Sequence, residues 1–270
     1  MPFFLFATLF IAAPVGYLVI GSFQDNQGHT TLQNYAELAT PSVTNAFRTS
    51  IEISLVTAIV GGIFGFLLAY AVILGGLPRV LRVALMTFSG VASNFAGVPL
   101  ALAFIFTLGQ LGIVTVFLKG IGINPYASGF TIYSKVGLEL VYLYFQFPLM
   151  VLIIAPAIDG LRQEWREAAE NLGASSAQYW RSVALPILFP TILGTIILLF
   201  GNAFGAQATA YQLTSGTLPI VPVIIGAQIS GDVLHNPGLG YAMAMGMVAI
   251  MAVSILIYTF LQRRAERWRR

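Results

Sequence analysis

The sequence predicts an all-α membrane protein with six transmembrane helices, and three observations carry that prediction. Only 9% of the 270 residues are charged and 57% are hydrophobic, where a soluble domain carries about 25% charged residues. Six apolar runs come close to or exceed the roughly 20 residues that a helix needs to cross a bilayer. None of the runs alternates apolar and polar positions as barrel strands do. Their backbones must therefore pair within each segment, as helix.

The first run, 3–20, has no basic residue before it and no A-x-A-like site after it. It lacks the marks of a cleaved signal and is taken as a span. The second, 53–74, places Ser54, Ala58, Gly61, Gly65 and Ala69 at helical spacing, a pattern that lets helices approach closely. The third, 83–108, holds Ser93 and Asn94 in an apolar stretch. The fourth, 136–158, sets Glu139, Tyr142 and Gln146 at i, i+3 and i+7, on one face. The fifth, 187–206, repeats small residues at Gly194, Gly201 and Gly205, with Asn202 and Gln207 near its far end. The sixth, 241–261, runs into QRRAERWRR, a basic cluster suited to anchoring against anionic lipid. Two further apolar stretches, 109–118 and 218–229, are too short to span and are expected to be re-entrant or interfacial.

Six spans place both termini on one side. That side holds Arg79, Arg82, Arg162, Arg166, Arg181, Arg263, Arg264, Arg267, Arg269 and Arg270, ten of the 13 basic residues. Arg48, Lys119 and Lys135 lie opposite. Basic residues collect in the cytoplasm, so the termini and the segment 159–186 are expected there. The net charge of +3 then reflects topology and does not point to nucleic acid.

Segment 159–186 is unlike the rest of the chain. Six of the twelve residues 159–170 are charged, yet Leu161, Trp165, Ala168 and Leu172 recur at i, i+4, i+7 and i+11, the pattern of an amphipathic helix. Gly173 suits the C-terminal end of that helix. Ser175–Gln178 reads S-x-x-Q, a capping box for a second short helix, and Pro186 can open the next span as a first-turn residue. The expectation is a helix–turn–helix across the cytoplasmic face, with an apolar stripe that needs something to bury against.

The residues Glu167-Ala168-Ala169, Gly173, Val183 and Leu185-Pro186 reproduce the spacing E-A-A-x3-G-x9-I-x-L-P, with Val for Ile. This resembles the EAA loop of bacterial binding-protein-dependent ABC importer permeases, which also lies between the fourth and fifth of six spans. The resemblance implies one permease domain over 1–270, with 159–186 as a coupling loop docked on a separate ATPase. In that family pattern Ala168 and Ala169 would allow close approach and Glu167 a charge-assisted contact. Gly173 would permit the turn, Leu185-Pro186 would tie the loop to the fifth span, and Val183 belongs to the same coupling motif. It also implies two ATP-binding cassette subunits that bind ATP and Mg, a second permease subunit (identical or paralogous), an extracytoplasmic solute-binding protein, and a place in the bacterial cytoplasmic membrane. The chain itself has no G-x-x-x-x-G-K-[ST] with which to hold nucleotide, so no cofactor is expected in it.

Polar groups within spans are costly and usually functional. The candidates for the translocation path are Glu139, Tyr142, Gln146, Asn202 and Gln207. A carboxylate beside an aromatic ring can hold a cation, although Glu139 near an interface can equally be hydrated or bonded between helices. The C-terminal third resembles permeases grouped with polyamine and phosphonate systems, which implies a polyamine-like cation or a phosphonate or other small organic solute. His29 and His235 stand without neighbouring His or Cys, so no metal site is expected. The metalloprotease motif H-E-x-x-H and the hydrolase motif G-x-S-x-G are absent. A freestanding secondary carrier or channel would also suit intramembrane polar residues, but it leaves 159–186 without a role.

Overall fold

The structure, a computed structural model, describes residues 5–6, 8–25, 27–231 and 235–266. Apart from one isolated bridge between Gln24 and Thr30, regular structure among them is helical. A π-helical stretch Thr8–Ala12 leads into α1 (Ala13–Ser22), followed by α2 (Gln33–Glu37), α3 (Pro41–Leu74), α4 (Arg79–Asn94), α5 (Gly97–Leu108) and α6 (Ile113–Gly120). Next come α7 (Lys135–Asp159), α8 (Gln163–Asn171), α9 (Ser176–Tyr179), a π-helical stretch Trp180–Ala184, and α10 (Leu185–Phe204). The chain closes with α11 (Gln207–Thr214), α12 (Val221–Ser230) and α13 (Pro237–Glu266). Among the described residues, five helical stretches are long and apolar enough to cross a membrane: Pro41–Leu74, Gly97–Gly120, Lys135–Asp159, Ser176–Phe204 and Pro237–Arg263. Thr8–Ser22 is shorter. The start of the first expected span and residues 267–270 of the basic cluster lie outside the described residues.

The centre of the bundle is α7, which packs on α3, α4 and α10. Toward one end, Leu138, Val141, Tyr142 and Phe145 of α7 bury with Ala203, Leu213 and Ile220. Toward the other, Met150, Val151, Ile154 and Ile158 bury with Leu188, Leu199 and Phe200. The small residues of α3 explain the closeness of α3 and α7. Ser54, Ala58, Gly61, Gly65 and Ala69 are all buried; a Cβ at Gly61 would lie 2.7 Å from Cβ of Gln146, and one at Gly65 2.6 Å from Cβ of Met150. On α10, Gly194 faces the ring of Tyr258 and Gly201 faces Met251 of α13. Both stripes serve close helix packing.

Three expected boundaries are corrected. The third span, 83–108, is broken at Phe95–Ala96: Gly97 has φ +75° and Pro99 follows, so α4 ends and α5 starts afresh. Hydropathy runs unbroken across this point and hides it. The second span starts at Pro41 instead of 53, because proline is well placed in a helix's first turn and a polar helix can continue beyond the bilayer. At about 1.5 Å per residue, its 34 residues exceed any hydrocarbon thickness. Residues 109–118 do hold a short helix, displaced to Ile113–Gly120. Pro186 stands in the first turn of α10, as expected, although helix already runs up to it from Ser176 through the π-helical stretch.

Candidate functional site

Two places carry the residues singled out by sequence: the loop at the C-terminal end of α7, and the polar face of α7 toward its N-terminal end. The loop is built by local rules. Gly173 has φ +79°; its N–H donates to the Glu170 carbonyl (2.9 Å) and the Ala174 N–H to the Ala169 carbonyl (2.9 Å). Those two bonds are the Schellman motif that ends a helix on a left-handed residue. Two residues later, Ser175 caps α9: its Oγ accepts from the Gln178 N–H, and Gln178 Oε1 accepts from the Ser175 N–H at 2.7 Å. The expected capping box is present, although α9 is one turn that continues into the span.

The helix between them, α8, has no buried residue. It starts at Gln163 instead of 159, since Asp159 still belongs to α7. Gln163 Nε2 donates to Glu167 Oε1 (2.9 Å) and Arg166 pairs with Glu170 (2.9 Å), pairs that keep its outer charges ordered along the helix. Of the apolar stripe, Leu161 and Trp165 are half-buried, Ala168 is exposed, and Leu172 is 88% exposed. Ala169 and Val183 are half-buried, while Glu167, Leu185 and Pro186 are exposed. Two fixed points hold α8 to the bundle. Before it, Asp159 pairs with Arg82 of α4. After it, Trp180 meets the ring of Tyr70 of α3 edge-on at 4.9 Å, and Tyr179 is buried. An open groove of about 500 Å³ separates α8 from the end of α3, lined by Tyr70, Leu74, Arg162, Glu167, Tyr179 and Trp180 among others.

On the polar face, Tyr142 is buried and its hydroxyl donates to the Ala206 carbonyl at 2.6 Å. Gln146 is fully buried, Nε2 donates to the Leu199 carbonyl at 2.9 Å, and Oε1 has no donor. Gln146 thus braces α7 against α10, and Tyr142 braces it against the link from α10 to α11. Glu139 is half-buried, one turn from Lys135, which pairs with Glu52 of α3; Arg48 also reaches Glu52, at 3.3 Å. Asn202 and Gln207 are exposed, and the Gln207 amide lies over Gly226, where a Cβ would stand 2.4 Å from it. Ser93 and Asn94 bond the Gly90 carbonyl just before the break in the third span. The structure therefore sets Gln146 on the backbone of α10 and Tyr142 on the backbone of the α10–α11 link, and leaves Asn202 and Gln207 at the surface.

Sequence reasoning missed the ion pairs Lys135–Glu52 and Arg82–Asp159, whose partners are 83 and 77 residues apart. It also missed Thr209, whose Oγ accepts from the Gly97 N–H at 2.8 Å and ties the start of α5 to α11. Tyr142→Phe is expected to lower stability by about 1 kcal/mol, the net worth of one such hydrogen bond, read as a lower melting temperature in detergent. If the transport expected from the sequence collapsed while the melting temperature held, the hydroxyl would serve the path instead.

Residues 61–268 match the family described as the binding-protein-dependent transport system inner membrane component. A probable sulfate transport system permease protein cysT of Nephroselmis olivacea is 26% identical over 77% of this chain and 72% of its own. The sulfate transport system permease protein CysT of Salmonella typhimurium is 28% identical over 74% of this chain and 68% of its own. A solved bacterial alginate ABC transporter, in complex with an alginate pentasaccharide-bound periplasmic protein, superposes with a TM-score of 0.76 at 17% identity, covering 97% of this chain and 92% of that one. That last likeness is one of fold.

Proposed function

We propose, on the premise that this chain belongs to the binding-protein-dependent transport system inner membrane components, that it moves an oxyanion of the sulfate class through the membrane. The chain is a multi-pass permease subunit of an ABC importer. The observation that carries the coupled reading is α8, a charged helix with no buried residue, flanked by the Arg82–Asp159 pair and the Tyr70–Trp180 contact. A helix in that position is a docking element, and a freestanding carrier or channel gives it no work.

In this reading Glu167, Ala168, Ala169, Gly173, Val183, Leu185 and Pro186 form the coupling loop. The α8 end faces the cytoplasm, where two ATP-binding cassette subunits would hold ATP and Mg. A second permease subunit completes the pathway, and a solute-binding protein delivers at the opposite end. Closure of the ATPases would then rock the bundle as a rigid body.

The substrate reading departs from the expected polyamine-like cation or phosphonate, for which the comparisons give no support. Two observations favour the change. The named relatives are sulfate permeases. The proposed cation site is also poorly equipped: the Tyr142 ring is enclosed, and Glu139 shares its end of the bundle with Lys135, Glu52 and Arg48, two charges of each sign. The test is uptake of radiolabelled sulfate by cells that lack their own sulfate importer and express this chain with its neighbouring subunits. Uptake that unlabelled sulfate suppresses and putrescine or methylphosphonate leaves unchanged is expected. No uptake of labelled sulfate, with uptake of labelled putrescine by the same cells, would return the reading to a cation.

A further inference from the structure

We infer that the Arg82–Asp159 ion pair is the joint that passes movement of α8 into the half-span α4; the inference rests on the coupled-importer reading above. Asp159 is the last residue of α7, and Arg82 stands in the first turn of α4. Each charge is set against its own helix, since a helix C-terminus disfavours a carboxylate and an N-terminus disfavours a guanidinium. Their placement makes sense only across the junction. The side chains are 37% and 46% exposed, so the pair adds little to stability, and a merely structural role does not account for it.

Its position is mechanical. Only Gly160, Leu161 and Arg162 separate Asp159 from α8, and three residues span at most about 10 Å. Movement of α8 therefore reaches Asp159 with little slack. On the other side of the joint, the broken span divides between two packing groups: α4 leans on α7, while α5 leans on α11 and is tied there through Thr209. Phe95 in the break and Phe104 after it both meet the ring of Tyr144 edge-on, at 6.2 and 5.7 Å. The break at Phe95–Ala96 is thus a pivot with an aromatic bearing, and Arg82 sits at the far end of the lever.

The chain contains no cysteine, so two introduced ones can carry spin labels without background. Val91→Cys on α4 and Phe106→Cys on α5 are each at positions 66% exposed, one on either side of the break. The distance between labels is read in the assembled complex with its ATPase, with and without ATP and vanadate. Trapping is expected to change that distance in the otherwise unaltered chain. Arg82→Asp or Asp159→Arg alone should cut the change at least fivefold, with several-fold more ATP hydrolysed per solute imported. The double variant Arg82→Asp/Asp159→Arg should restore most of both, because it also places each charge favourably on its helix. Where a single reversal fails to accumulate, Arg82→Gln and Asp159→Asn replace it with the same expectation. An unchanged distance in the labelled parent, a full change in the single variants, or a double variant as silent as the singles overturns the inference. Co-purification of the ATPase is scored first, and its absence strikes the importer reading instead.

Discussion

Replacing Gly65 by leucine is expected to remove most of the folded protein from the membrane. A Cβ at this position would stand 2.6 Å from Cβ of Met150 and 2.9 Å from the backbone oxygen of Phe147. A side-chain tip can turn aside, but a backbone carbonyl on the central helix cannot. Relief requires α3 and α7 to part, and this is the contact around which the rest is assembled. Overpacking a tight core costs about 1–3 kcal/mol, sometimes more, and here the larger end is expected because Leu adds four carbons against two rigid neighbours. Against a total stability of about 5–15 kcal/mol, that loss shows as several-fold lower yield and a clearly lower melting temperature in detergent. Gly90→Leu is the matched control. Nothing lies within 4 Å of a Cβ there, so the same class of change on α4 should leave yield intact. Normal accumulation of Gly65→Leu would mean that the two helices are not held this closely.

The Gly65 contact illustrates what was legible before any coordinates. The stripe of small residues on α3 and the capping box at Ser175–Gln178 depend on neighbours within a few turns, and both stand where their spacing puts them. The fourth span, 136–158, differs from α7 by one residue at each end, because its apolar run is bounded by polar residues on both sides. The break at Phe95–Ala96 was not read, since hydropathy averages over the very residues that cause it. Gly97 followed by Pro99 was the available signal, being a left-handed position and a first-turn proline in succession. Lys135–Glu52 and Arg82–Asp159 left no signal, because a one-dimensional pattern does not say which helix ends meet. Tyr142 and Gln146 were correctly grouped on one face. That face turns out to meet the backbone of α10 and of its link to α11, which polarity alone could not distinguish from a lumen.

Gly173→Pro is expected to abolish coupled import while leaving the protein folded in the membrane. The two halves of that expectation come from different observations. Folding survives because α8 has no buried residue and because nothing lies within 4 Å of a Cβ at Gly173. Coupling fails because Gly173 holds φ at +79°, while proline is fixed near −65° and also lacks the N–H that bonds the Glu170 carbonyl. The Schellman turn cannot form, the last turn of α8 unwinds, and the directions of Glu167, Ala168 and Leu172 relative to the capped start of α9 are lost. Gly173→Ala keeps the N–H and meets only the left-handed backbone cost of about 1–2 kcal/mol, so it should fall between the two. The measurements are uptake, membrane level and ATPase rate in the assembled complex. More than tenfold loss of uptake for the proline variant, a partial loss for alanine, and equal membrane levels for all three are the expected outcome. Wild-type uptake in Gly173→Pro would show that the shape of this loop is not what the partner reads, and α8 would lose its place as the coupling helix.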